Sequence, residues 1–150
     1  MKIYFAGAIR AGRDDAAIYA TMIAWLKRFG DVLTEHVGES MLLAKGDDGP
    51  DDRYIHDRDM AWLAQCDLVV AEVTTPSLGV GYELGWATAL KKPVLCLYRF
   101  QPGRILSAMI AGSPMMRTVS YSSVNEAKTI ITDFMDRVAK EKTLLSGVNE

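Results

Sequence analysis

Two stretches of the chain, Asp67-Leu-Val-Val-Ala-Glu-Val73 and Pro93-Val-Leu-Cys-Leu-Tyr98, are apolar almost without interruption. A strand with one wet face alternates apolar and polar residues, so unbroken runs of this length fit strands buried on both faces of a parallel sheet. Three shorter β-rich runs complete the set: Lys2–Ala6, closed by Gly7, then Asp31–Thr34 and Arg117–Tyr121. Between them the apolar period becomes helical. Ile18, Met22, Trp25, Leu26 and Phe29 mark one helix, capped by Asp14 or Asp15 and ended by Gly30. Ile55, Trp62, Leu63 and Cys66 mark a second over about 52–65, residues 79–91 a third built of small residues, and about 104–111 a short fourth. Ser123 and Glu126 form a capping box ahead of a last helix on Val124, Ala127, Ile130, Ile131, Phe134 and Val138.

Five strands alternating with helices predict an α/β fold: a single-domain five-stranded parallel sheet with helices on both faces, flavodoxin-like or Rossmann-like. By analogy with flavodoxin-like folds the expected strand order is 2-1-3-4-5. A chain of 150 residues fits one such domain. We place it at 1–142, with 143–150 as a loose tail and 38–53, which holds four aspartates from 47 to 52, as a polar loop. Ligands of these sheets bind at the carboxyl ends of the strands, which directs attention to the segments after strands one to four.

Charge and cysteine usage narrow the class further. With 17 basic and 19 acidic residues, the net charge of −2 offers no basic field for a nucleic-acid polymer or a membrane surface. No apolar run approaches the roughly 18 residues of a membrane span, and the N-terminus reads as a strand at once, without a signal-peptide pattern. Cys66 and Cys96 stand far apart in apolar surroundings and read as reduced core residues of a cytoplasmic protein.

Two carboxylates lie in unusual places. Glu83 is the only formal charge between Glu72 and Lys91, and small or apolar residues surround it on every side of its helix, so the helix reads as buried. A lone carboxylate there is costly unless paired, although a glutamate near a helix start also favours the macrodipole. Asp59, four residues after Ile55 and three or four before Trp62 and Leu63, falls on the apolar face of its helix, while Asp57 and Arg58 are expected to point elsewhere. Alone it fits a satisfied core aspartate or a surface ion pair. Two inward carboxylates from two helices together suit glycosidic bond cleavage.

Ser77-Leu-Gly-Val-Gly81 is a turn whose bare amides and hydroxyl can hold a phosphate, or simply turn the chain. Gly7-Ala-Ile-Arg-Ala-Gly-Arg13 sets Arg10 and Arg13 before a helix, as forks for an anion or as solvated loop cations. His36 and His56 are the only histidines and no thiolate spacing accompanies them, so no metal is expected. No serine sits in a nucleophile elbow, which removes a Ser-His-Asp triad.

These segments occur in an order that resembles the 2'-deoxynucleoside 5'-phosphate N-hydrolases, a branch of the nucleoside 2-deoxyribosyltransferase-like family. The resemblance runs from Tyr4 to about Tyr121. It rests on Tyr4-Phe-Ala-Gly-Ala-Ile-Arg10, Leu33-Thr-Glu-His-Val37, Ile55-His56 with Asp59, Ala71-Glu-Val-Thr74, Pro76-Ser-Leu-Gly-Val-Gly-Tyr-Glu-Leu-Gly85 and Gly103-Arg-Ile-Leu-Ser-Ala-Met-Ile110. The resemblance implies a cytoplasmic hydrolase that splits deoxynucleoside 5'-monophosphates into base and 2-deoxyribose 5-phosphate, without metal or cofactor. It implies Glu83 as nucleophile at C1', Asp59 as general acid toward the base and Tyr4 as the group that orients Glu83. Ser77 and the amides of Gly79 and Gly81 would bind the 5'-phosphate. Ser107 would reach that phosphate from the partner subunit of a homodimer, and Gly7, Ile9, Arg10, Arg13 and His36 would line the pocket. Ala8 stands where the family commonly has serine and Trp86 where it commonly has arginine, which bears on base preference and affinity; the 38–53 loop matches poorly. A deoxyribosyltransferase and a non-catalytic nucleotide sensor are the competing readings, set apart by the phosphate site and by the isolated carboxylate.

Overall fold

The computed structural model describes residues 1–9, 15–38 and 51–146. Strands β1 (Lys2–Ala6), β2 (Asp31–Val32), β3 (Leu68–Glu72), β4 (Val94–Arg99) and β5 (Arg117–Tyr121) form one sheet in the order β2-β1-β3-β4-β5. All four neighbouring pairs are parallel, with Tyr4 beside Val69 and Val70 beside Leu95. Among the described residues the α-helices are α1 (Ala16–Leu26), α2 (Asp52–Gln65), α3 (Leu78–Ala89), α4 (Ala108–Ala111) and α5 (Val124–Ser146).

The two-residue period of the strands divides the core. Ile3, Phe5, Leu68, Val70, Leu95 and Leu97 pack against α1 and α5. Tyr4, Ala6, Val69, Ala71, Cys96 and Tyr98 pack on the other face with Leu63 of α2 and Leu84 of α3. This alternation sends Tyr4 toward α2 and α3.

Several expected boundaries move, each for a local reason. β2 ends at Val32 and not at Thr34, because the Thr34 hydroxyl takes over the ladder: it accepts from the Phe5 N–H at 2.8 Å and donates to the Phe5 carbonyl at 2.6 Å. α1 stops at Leu26, three residues short of Phe29, as its last turn tightens to i−3 bonds from Arg28 and Phe29. Gly30 follows where a Cβ would lie 2.0 Å from the Met1 carbonyl, so only glycine lets β2 approach β1. α4 holds four residues in place of eight: Gly103 turns the chain at φ +77, and the Tyr98 hydroxyl fixes the Arg104 carbonyl at 2.9 Å. α5 continues through Ser146, into the expected tail; 147–150 lie outside the described residues.

Burial on both faces leaves the carboxyl ends of the strands rich in polar groups that water does not reach. Glu72, read in sequence as part of an apolar run, is 1% exposed. It accepts from the Tyr121 hydroxyl at 2.9 Å, the Thr74 amide at 3.2 Å and the Thr74 hydroxyl, while burial raises its carboxyl above the ordinary range. Asp15 occupies the N-cap position of α1 but makes no side-chain cap bond. Its carboxylate instead accepts from Arg99 Nη2 at 2.7 Å and the Thr75 hydroxyl at 3.2 Å.

Thr34→Val keeps the side-chain shape and strands two buried backbone groups of Phe5. We expect a loss of roughly 2–4 kcal/mol in chemical denaturation, at unchanged secondary structure; a loss near zero would mean that the hydroxyl is not holding the strand.

Candidate active site

The ends of β1, β2 and β3 open into a cavity of about 640 Å³, a volume suited to a small metabolite. Its lining includes Tyr4 and Glu83, Arg58 and Asp59 of α2, and Ser77 with Gly79 at the start of α3. Gly7, Ile9 and His36 line it as expected. Gly7 also has a packing reason, since a Cβ there would come within 3.0 Å of the Tyr19 ring.

The Tyr4 hydroxyl donates to Glu83 Oε1 at 2.9 Å. Burial and the nearby carboxylates push the Tyr4 phenol far above its ordinary range, so it stays a neutral donor. Burial pushes Glu83 up to about 7; the tyrosine bond pulls it down and the negative charge of Asp59 pushes it up. The result is a carboxyl that titrates near neutrality, oriented through one oxygen and open through the other.

Asp59 faces the same cavity with a different partner. Arg58 Nε donates to its Oδ1 at 3.0 Å, and the two side chains are only 16% and 18% exposed. The guanidinium lies over the Trp62 ring, 4.7 Å from its centroid, and Nη2 is 3.4 Å from His36 Nε2. Arg58 therefore points into the site, which corrects the expectation that it points away. The signal was present: Ile55, Arg58, Asp59 and Trp62 are spaced i, i+3, i+4, i+7, which places all four on one face. His56 sits at the rim, between Asp57 at 2.9 Å and the Tyr82 hydroxyl at 3.2 Å.

Ser77 caps α3, its Oγ accepting from the Val80 amide at 3.4 Å. The first-turn amides of Leu78 and Gly79 precede any intrahelical partner, and both residues line the cavity, so this end offers donors to an anion. Gly81 departs from its expected role, because its amide already donates to the Ser77 carbonyl at 3.1 Å and the residue lies outside the cavity. Ser107 also lies outside the cavity of its own chain, exposed at the start of α4. Arg10 and Arg13 fall outside the described residues. α3 is not buried all round as its composition suggested: Leu78, Tyr82 and Trp86 are exposed.

The model of the nucleoside 2-deoxyribosyltransferase family matches residues 3–112. The chain is 48% identical over 143 residues to the 5-hydroxymethyl-dUMP N-hydrolase of Danio rerio, covering 93% of this chain and 99% of that one. It is 58% identical over 112 residues to the protein of the same name from Mus musculus, covering 74% of this chain and 65% of that one. Among solved structures, a CMP N-glycosidase of Clostridium botulinum superposes with a TM-score of 0.65 at 17% identity, over 88% of this chain and 98% of that chain. That likeness concerns the fold.

Tyr4→Phe removes the donor that favours the ionised form of Glu83. The Glu83 titration, followed by NMR of the labelled carboxyl carbon, should then move further above 7. An unchanged midpoint would show that the hydrogen bond does not govern its charge.

Proposed function

The chain belongs to the nucleoside 2-deoxyribosyltransferase family, and from that membership and the paired carboxylates of its cavity we propose that it hydrolyses the N-glycosidic bond of 2'-deoxynucleoside 5'-monophosphates. The relatives named as N-hydrolases of a deoxynucleoside monophosphate support the substrate class. The observation that carries the reading is the Tyr4–Glu83 pair, a carboxylate held by one oxygen inside a water-poor cavity. Glu83 Oε2 attacks C1', the bond to the base breaks, and water then hydrolyses the glycosyl ester to 2-deoxyribose 5-phosphate. A sugar without a 2'-hydroxyl carries oxocarbenium charge more readily, so one carboxylate suffices. Asp59 faces the leaving base and delivers a proton to bases that leave in neutral form. Ser77 and the amides of Leu78 and Gly79 hold the 5'-phosphate.

The active form is a homodimer. Leu78, Ile105 and Met109 are 97%, 96% and 81% exposed, and apolar side chains so open need cover. Pairing through α3 and α4 about a two-fold axis brings each Ser107 to the partner's Ser77–Gly79 end. The reading places the enzyme in the cytoplasm, in keeping with Cys66 and Cys96, free buried thiols that burial pushes up to about 11 and about 12.

The direct experiment is incubation of the purified protein with deoxynucleoside monophosphates, scoring free base and 2-deoxyribose 5-phosphate. Production of a new nucleotide only when a second base is added would identify a transferase instead, and absence of both products would favour a sensor.

Three outcomes follow for variants and pH. Glu83→Gln should lose more than about 100-fold in kcat with its fold intact; near-wild-type turnover would remove Glu83 from the mechanism. Because attack needs the ionised carboxyl, kcat/KM should climb as pH rises through about 7 and level off above it. Asp59→Asn should slow bases that need protonation and spare a leaving group that departs without it; equal losses would argue against proton donation.

The shared site is tested by mixing. A heterodimer of Glu83→Gln and Ser107→Ala subunits has one doubly damaged site and one intact site, so mixing should recover phosphate-dependent affinity. Full activity from a monomer in sedimentation would exclude a shared site.

A further inference from the structure

Resting on the hydrolase reading above, the position of Arg58 bears on which base such a site releases. Among the described residues that line the cavity, Arg58 is the only lysine or arginine. With the 5'-phosphate at Ser77–Gly79 and Glu83 attacking C1', as proposed above, the lining left for the base is the part that α2 supplies, which includes Arg58 and Asp59. The guanidinium is held before any base arrives, by Asp59 at 3.0 Å on its edge and by the Trp62 ring on its face. A planar cation fixed in this way loses little freedom when it meets a planar acceptor.

Nucleobases leave in two ways. A purine has a basic ring nitrogen, and protonation there lets it depart neutral. A uracil-type base has no basic ring nitrogen; it carries two carbonyl oxygens and departs as an anion whose charge spreads from N1 onto O2 and O4. The first route needs a proton donor. The second needs a permanent positive donor at the carbonyl edge. The ion pair with Asp59 holds the Arg58 guanidinium in place for the second route.

We propose that Arg58 is a specificity-determining residue: held by Asp59 and Trp62, its guanidinium stabilises the departing base as an anion and so favours deoxynucleotides of 2,4-dioxopyrimidines over those of purines. As Glu83 bonds to C1', the electron pair of the C1'–N1 bond passes to the base and rests on N1 and O2 beside the guanidinium. The water that hydrolyses the glycosyl ester supplies hydroxide to C1' and the proton that neutralises the base, so the step needs no further reactant. Asp59 serves here as the group that positions Arg58.

The test compares the intact protein with Arg58→Gln and Arg58→Lys on dUMP and dGMP, measuring kcat and KM for each and thermal unfolding for each variant. Arg58→Gln should lower kcat on dUMP by roughly 10- to 100-fold, the worth of one charge-assisted hydrogen bond. Its kcat on dGMP should fall less, so that the dUMP-to-dGMP ratio of kcat drops by about tenfold or more. Arg58→Lys, which keeps the charge without the fork, should fall between, and its dUMP-to-dGMP ratio decides the matter if Arg58→Gln does not fold. Equal losses on the two nucleotides, or an unchanged ratio, overturn the role of Arg58 and leave the hydrolase reading standing. A parent protein that releases base from neither nucleotide overturns both.

Discussion

Burial of a parallel sheet on both faces is the constraint from which the rest follows. A chain so arranged has no wet face on which to leave polar groups, yet its strand ends must carry them. Each is therefore answered by a side chain. Thr34 completes the ladder beside Phe5, Tyr121 and Thr74 surround Glu72, Arg99 and Thr75 hold Asp15, and Tyr4 holds Glu83. The first joins the end of β2 to β1, and the second and third tie β3, β4, β5 and the start of α1 into one rim. The fourth lies in the cavity, where the same physics yields chemistry.

The two site carboxylates are treated in opposite ways. Glu83 receives a neutral donor and little water, so its charge is governed near neutrality. Asp59 receives a permanent cation and an aromatic wall. Placing two acids of one cavity in contrasting surroundings is how a fold separates their duties. The side of the sheet decides which residues can take part: the alternation along β1 sends Tyr4 to α3 and Phe5 to α1, so a one-residue slip would remove the tyrosine from the glutamate.

The apolar surface of α3 and α4 carries the same logic outward. In sequence, Leu78, Tyr82 and Trp86 make α3 look buried on every side; in the single chain these residues are exposed. Gly81 and Gly85 lie beside them with nothing of their own chain within 4 Å of a Cβ. A helix whose composition is that of an interior and whose surroundings are open is the observation behind the homodimer proposed above.

Sequence alone determined the fold class and marked the two unusually placed carboxylates, because unbroken strand runs and isolated charges are local signals; the strand order came by analogy with flavodoxin-like folds and agrees with the structure. It also marked Tyr4 and Ser77 through the family resemblance. It missed Glu72, which two strand neighbours disguise as part of an apolar run, and misplaced Arg58, whose helical spacing from Ile55 is as good as that of Asp59. It also assigned Gly81 an amide that the helix itself consumes. These outcomes share one cause. Periodicity says which face of an element a residue occupies, whereas partners are chosen by what the other elements bring to that face. Whether a buried carboxylate meets a phenol, a guanidinium or a threonine is set by contacts between residues far apart in the chain, 79 positions for Tyr4 and Glu83 and 84 for Asp15 and Arg99, and only the tertiary structure brings those residues together.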